Sequence, residues 1–251
     1  MAATIPLRDS ELDFDYGTFD AAAFTAQGLA SWQSLAAIID HSLLKPDATR
    51  QQVDALCQEA ARYRFGCVMV NPVWAPVAVA ALAGTGIHAG AAIGFPFGVS
   101  LVSTLRHEAD GLIRLGVREL GMVLPIGLLK SGNHQAVAHT IRSTVHVAHN
   151  HGAILKVNLE TCLLTMQEKL RASEIAIQAG ADFINTASGF ASGGATPADV
   201  ALMRGVAGAR CGVKAAGRIR TVAQVRALLE AGANRIGSST SVAILRELGA
   251  E

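Results

Sequence analysis

The sequence predicts an α/β protein, a (β/α)8 TIM barrel carrying an N-terminal extension. Three observations point there. After about residue 37, short apolar or β-branched runs alternate eight times with longer helical patterns. The length of 251 residues suits a barrel formed as one domain. No GxGxxG motif follows the first strand-like run, which argues against an open dinucleotide-binding sheet.

The strand candidates, in order, are Ile38–Asp40, Cys67–Val70, Ile87–Ile93, Glu119–Val123, Ile154–Leu159, Phe183–Asn185, Cys211–Ala215 and Arg235–Ile236. Helices are expected near 50–64, 75–83, 101–115, 134–150, 166–179, 197–207, 221–231 and 240–248. Asp47 or Thr49, Ser103, Thr165, Thr196-Pro197 and Thr221 mark helix starts, and glycines 66, 116, 152, 180 and 232 mark ends. Residues 1–37 stand apart from this repeat, with Phe14, Phe19, Phe24 and Trp32 among small and acidic residues. They read as an arm or helix crossing the barrel bottom or reaching a neighbouring subunit; residues 38–251 read as the catalytic barrel.

Composition narrows the partners. A formal charge of +1 and 16% charged residues provide no field for nucleic acid and no polybasic membrane patch. No apolar run reaches the length of a transmembrane helix, and no signal peptide is apparent. Cys57, Cys67, Cys162 and Cys211 show no CxxC spacing; they fit a reducing cytoplasm and read as packing residues, Cys162 included. His134, His139, His146, His149 and His151 fall on a helical pattern and read as a solvated face, so no metal and no cofactor is expected.

Side chains alternate between the barrel interior and the helix layer. That parity points Asp40, Lys156, Asn158, Glu160, Asn185 and Lys214 inward, with Asn71 at the inner end of the second strand. Branched aliphatic residues ordinarily fill such layers, and buried charges are costly unless paired. The C-terminal ends of the strands form the active face of such barrels. The alternative is a set of internal salt bridges, Lys156 with Glu160 or Asp40.

Two loops predict an anion site. Gly217 and Arg218 open the helix after strand 7, and Gly237, Ser238, Ser239 and Thr240 open the helix after strand 8. Barrels commonly hold phosphate there, on backbone N–H groups at helix N-termini.

The motifs Ile39-Asp40-His41-Ser42-Leu43-Leu44-Lys45-Pro46-Asp47-Ala48-Thr49, Val70-Asn71-Pro72 and Ile93-Gly94-Phe95-Pro96-Phe97-Gly98 come in that order. Ile126-Gly127-Leu128-Leu129-Lys130-Ser131-Gly132, Leu155-Lys156-Val157-Asn158-Leu159-Glu160-Thr161 and Ser188-Gly189-Phe190 follow. Val213-Lys214-Ala215 and Ile236-Gly237-Ser238-Ser239 complete a series that resembles the deoxyribose-phosphate aldolase family over about residues 38–245. The resemblance implies a barrel, a phosphate site that includes Gly189, and a homodimer or larger homo-oligomer. It also implies a Schiff-base lysine on strand 6, a second lysine on strand 7 and a relay aspartate on strand 4. Lys214 and Lys156 stand where the strand-7 and strand-5 lysines are expected. Asn185 stands where the nucleophile is expected, Gly121 where the relay acid is, and Gly217-Arg218 where the family has Gly-Gly.

The expected function is an aldolase-like carbon–carbon lyase, or a related carbonyl-chemistry enzyme, acting on a small phosphorylated or otherwise anionic carbonyl substrate. Its mechanism would differ from the strand-6 Schiff base, and Lys214, Lys156, Asp40 and Asn185 are the candidate catalytic residues. If the two lysines approach each other, one pKa falls and its amine can serve as base or as nucleophile. Otherwise Lys214 polarises the carbonyl as a cation while Asn185 and Asn158 hydrogen-bond the oxyanion, with Asp40 or Glu160 as proton shuttle and extra room at Gly121. The alternatives are a non-aldol isomerase, dehydratase or cyclase, and a non-catalytic phosphometabolite-binding protein.

Overall fold

The computed structural model describes residues 18–251. Eight parallel strands close into a barrel in sequence order, β1 (Ile39–Leu43), β2 (Cys67–Val70), β3 (His88–Ile93), β4 (Glu119–Val123), β5 (Ile154–Asn158), β6 (Phe183–Asn185), β7 (Gly212–Ala216) and β8 (Arg235–Ser238). The closing pair is parallel too, with Ile39 opposite Ile236 and Asp40 opposite Gly237.

Two short helices, α1 (Ala21–Gly28) and α2 (Trp32–Ala37), precede the barrel. Around it lie α3 (Arg50–Tyr63), α4 (Ala75–Leu82), α5 (Val102–Arg114), α6 (Ile126–Lys130), α7 (His134–His149), α8 (Met166–Gln178), α9 (Pro197–Ala207), α10 (Val222–Glu230) and α11 (Ser241–Arg246). Outward strand residues such as Ile39, Leu120, Leu155, Ile184, Val213 and Ile236 are fully buried against these helices. A parallel sheet wrapped this way hides both faces, so the alternation separates apolar-outward from polar-inward residues.

Thr49, Thr165, Thr196 and Thr221 each cap their helix by accepting a backbone N–H, and three of them form a reciprocal capping box with Gln52, Glu168 or Gln224. Ser103 does not: α5 starts after Leu101, with no side-chain cap. Helix α3 likewise ends on Arg64, itself in the left-handed conformation, two residues before Gly66. The histidines of α7 lie on its solvent side, opposite buried Val137, Ile141, Val145 and Ala148; His149 reaches Asp182 at 2.9 Å and His151 reaches Asp110 at 3.7 Å.

Helix α1 packs on α10, and α2 packs on α11 at the N-terminal end of the barrel, where Gly66 N donates to Ala36 O. Trp32 meets Tyr63 edge to face at 6.1 Å, and Phe19 lies 4.1 Å from the Arg204 guanidinium carbon. Residues 1–17 of the expected arm, Phe14 among them, lie outside the described residues. No helix of the described residues is long and apolar enough to cross a membrane.

Candidate active site

A cavity of about 780 Å³ opens at the C-terminal ends of the strands. Its floor comes from the barrel interior: Lys156 and Asn158 of β5, Asn185 of β6 and Lys214 of β7 all line it. Its wall includes Gly189 and the two predicted anion loops, with Gly217, Arg218, Gly237, Ser238, Ser239 and Thr240. Lys45, Lys156, Lys214, Arg218 and Arg220 line it, and among the described residues no carboxylate does.

Asp40 lies beneath this floor, fully buried. Its Oδ2 accepts from Lys156 Nζ at 2.6 Å and from Lys214 Nζ, and its Oδ1 accepts from Arg235 Nε at 2.6 Å. Lys156 Nζ also meets Glu119 Oε2 at 2.5 Å and lies 5.9 Å from the Phe183 ring centroid. Burial opposes ionisation of Asp40, yet Lys156, Lys214 and Arg235 hold its carboxyl well below the ordinary value.

The two lysines part company. Burial works against the Lys156 charge, but Asp40 and Glu119 outweigh it and leave the ammonium above its usual value. For Lys214, burial and the Lys156 charge prevail over Asp40 and hold the amine below its usual value. The Lys214 side chain also crosses the bare Cα of Gly237, where a Cβ would stand 2.8 Å from Lys214 Cε.

Asn185 Nδ2 donates to Asn158 Oδ1 across the β5–β6 ladder, where the two residues are register partners, and to Ala187 O at 3.2 Å. Among the described residues no donor reaches the buried Asn185 Oδ1. A buried acceptor left this way is a site for a donor that arrives with a ligand.

The anion loops are tied together by their own hydroxyls. Ser238 Oγ donates to Ile219 O at 3.0 Å, and Thr240 Oγ1 reaches the same oxygen at 3.3 Å. Ala195 N donates to Gly217 O, pinning the loop after β7 against the loop after β6. Arg218 takes a left-handed φ of 62°, unusual for a residue with a Cβ.

Several inward expectations are corrected. Glu160 leaves the strand alternation with a φ of 58°, accepts from Ser188 N at 3.0 Å and does not line the cavity. Asn71 does not line the cavity; its amide donates to the carbonyls of Leu44 and Lys45, which do. Gly121 does line the cavity, and a Cβ there would meet Met69 Cε at 3.3 Å and no other atom of the described residues within 4 Å. Cys162, expected as a packing residue, is exposed, its Cβ lying against Gly193.

Glu119 and Arg235 were missed as interior charges. The same parity finds them, two residues before Gly121 and Gly237 on their strands. Asp40, Cys67 and Glu119 bring possible ligand atoms within 4.8 Å of one another. Both carboxylates are already held by cations, and burial pushes the Cys67 thiol well above its ordinary value, so the trio does not suit a metal ion.

No family model matches the chain. It is 46% identical over 212 residues to the deoxyribose-phosphate aldolase of Geobacillus sp. (strain WCH70), covering 84% of this chain and 95% of that one. It is 45% identical over 212 residues, with the same coverage, to the deoxyribose-phosphate aldolase of Listeria monocytogenes serotype 4a (strain HCC23). Among solved structures, the tetrameric deoxyribose-phosphate aldolase of Aeropyrum pernix superposes with a TM-score of 0.84 at 30% identity, covering 91% of this chain and 96% of that one. The barrel, its order of motifs and identities of this size over nearly the whole length of these relatives lead to one conclusion: the chain belongs to the deoxyribose-phosphate aldolase family of lyases.

Proposed function

We propose that this protein is a carbon–carbon lyase acting on a small phosphorylated carbonyl compound, with Lys214 in place of a strand-6 lysine as its reactive amine. The observation that carries this reading is the position of Lys214: the residue lines the cavity, and its amine, bonded to Asp40, is held below the ordinary lysine value by burial, with the Lys156 charge adding to it. A neutral amine is the nucleophilic form.

In this reading the neutral Lys214 nitrogen attacks the carbonyl carbon, and a proton passes from that nitrogen to the carbonyl oxygen to give a carbinolamine. Loss of water gives an iminium, which accepts the electron pair of the breaking C–C bond. The β-hydroxyl gives up its proton as its carbon becomes the carbonyl of the departing aldehyde. The remaining enamine then takes up a proton at carbon to become an iminium, and water hydrolyses that to the second carbonyl product and the free amine. The carbinolamine hydroxyl is the donor that the unpartnered Asn185 Oδ1 would accept, while Asn158 holds Asn185 in place. Lys156 stays an ammonium and supplies fixed positive charge to the floor. Asp40, ionised and engaged by Lys156, Arg235 and the Lys214 amine, is a poor proton shuttle; its role is to hold both lysines.

The phosphate group would sit on the backbone N–H groups of the loops after β7 and β8, with Arg218 adding charge and Gly189 leaving space opposite. Assembly into a homodimer or larger homo-oligomer is part of the proposal. The tetrameric Aeropyrum pernix relative supports it, as do exposed Val73, Phe97, Val99 and Leu101 in the loops after β2 and β3. Light scattering on the purified protein measures the oligomeric state.

Borohydride trapping with a panel of aldehydes, followed by peptide mass mapping, tests the chemistry. A covalent adduct on Lys214, lost in Lys214→Met together with turnover, is the expected result. Turnover that survives Lys214→Met would remove Lys214 as the essential group.

A further inference from the structure

Glu119 and Arg235 line no part of the cavity, yet they sit inside the barrel at the first residues of β4 and β8. Their contacts close a ring with Asp40 and Lys156. Lys156 Nζ spans Asp40 Oδ2 at 2.6 Å and Glu119 Oε2 at 2.5 Å. Arg235 spans the same two acids, Nε to Asp40 Oδ1 at 2.6 Å and NH2 to Glu119 Oε1 at 3.3 Å. Two anions and two cations alternate around the ring, so its charge cancels internally.

Lys214 joins this ring at one corner. Its partner there is Asp40 Oδ2, an oxygen that Lys156 also holds, while Arg235 occupies the other Asp40 oxygen. Other groups turned toward this cluster are Cys67 of β2 and, through Glu119 Oε1 at 3.1 Å, His88 of β3. Asn185 of β6 and Gly237 of β8 bring no charge.

We propose that Arg235 and Glu119 are positioning residues of opposite sign, which close the ring with Asp40 and Lys156 and so leave Lys214 as the surplus cation of the barrel floor. The inference rests on the reading of Lys214 as the reactive amine, because that is the reaction the device would serve. Its physical content is independent of that reading. Removing the Arg235 charge leaves a ring of net −1, which compensates Lys214 and lets it keep its proton. Removing the Glu119 charge leaves a ring of net +1, which adds a second repulsive charge and drives the proton off. A purely structural role gives a different pattern. Loosening the floor by either change would admit water and move Lys214 toward its ordinary value both times.

The test is the titration of Lys214 itself, followed by the ¹³Cε shift of labelled lysine in the full-length protein. The chain has five lysines, so Lys214→Met assigns the resonance directly. Arg235→Met is expected to raise the Lys214 pKa by about one unit or more, and Glu119→Gln to lower it by a similar amount. Arg235→Lys, which keeps the charge, is expected to return the titration close to that of the unmodified protein. Shifts of the same sign in Arg235→Met and Glu119→Gln, or no shift in either, would overturn the proposal. Should Arg235→Met fail to fold, the near-isosteric Glu119→Gln decides alone: a lowered Lys214 pKa supports the ring, and a raised or unchanged one refutes it. Borohydride trapping is read separately. Opposite shifts without an aldehyde adduct would leave the ring standing and the lyase reading fallen.

Discussion

Asn185 and Asn158 face each other across the β5–β6 ladder and are joined side chain to side chain inside the barrel. The pair leaves the Asn185 carbonyl oxygen buried without a donor among the described residues. It also occupies the place from which a strand-6 lysine would reach the cavity.

Restoring that lysine alone is not expected to restore cleavage of deoxyribose 5-phosphate. Asn185→Lys would add a third amine beside Lys156 and Lys214 in a cavity lined, among the described residues, by no carboxylate. The double variant with Gly121→Asp is expected to exceed the single one, since the Met69 methyl opposing a new Cβ is the end of a flexible side chain. A coupled assay for released aldehyde checks both; substantial turnover by Asn185→Lys alone would refute the argument.

Gly237→Ala should injure catalysis with little effect on substrate binding. The added Cβ would meet Lys214 Cε at 2.8 Å and Ala216 Cβ at 2.9 Å, so the lysine must move. A displacement of that kind is expected to lower kcat about 10- to 100-fold while KM stays within a few-fold. Steady-state kinetics and the rate of borohydride trapping report it. Unchanged trapping would mean that the amine does not depend on this bare Cα.

Arg218→Gly separates stability from binding. The left-handed backbone costs a Cβ-bearing residue about 1–2 kcal/mol, partly offset by the greater unfolded-state freedom of glycine. Thermal unfolding should therefore show equal or slightly higher stability. Calorimetric titration with inorganic phosphate should show binding weakened several-fold, because a charge-assisted donor is lost. Tighter phosphate binding in the variant would contradict the role of Arg218.

Acid stability should follow the two interior carboxyls. Asp40 and Glu119 have folded values below their ordinary 3.8 and 4.5, because the neighbouring cations outweigh burial. Their contribution is fully present above those ordinary values and is lost as pH falls through the lowered folded ones. Asp40→Asn is expected to cost about 3–5 kcal/mol near pH 7, since it strands buried cations. The gap from the unmodified protein should narrow below about pH 4. Urea unfolding across a pH series measures it, and a gap that does not change with pH would rule out this linkage.

Particular residues show how far the sequence could be read. Period-2 alternation in Leu155–Asn158 and Val213–Lys214 was enough to turn Lys156, Asn158 and Lys214 inward, because a paired strand has only two faces. The same rule failed at Glu160, where the backbone enters a left-handed turn and parity no longer applies. It could have reached Glu119 and Arg235, whose positions relative to Gly121 and Gly237 carry the signal, but a charge at the first residue of a strand also reads as a solvated end. Ser103 had the residue type of a cap without the backbone geometry that makes one.

By itself, then, the sequence determined the order of eight strand–helix units, the inward face of Asp40, Lys156, Asn158, Asn185 and Lys214, and the two loops that line the cavity after β7 and β8. These follow from local periodicity, helix capping and turn chemistry, which act over a few residues. Only the tertiary structure decided how the inner charges are partnered. Asp40 meets Lys214 across 174 positions of chain and Arg235 across 195, contacts set by barrel closure and strand stagger. Those contacts separate a lysine that stays an ammonium, Lys156, from one whose proton is loosened, Lys214, because in a low-dielectric interior it is the count and placement of neighbouring charges that sets which group gives up its proton.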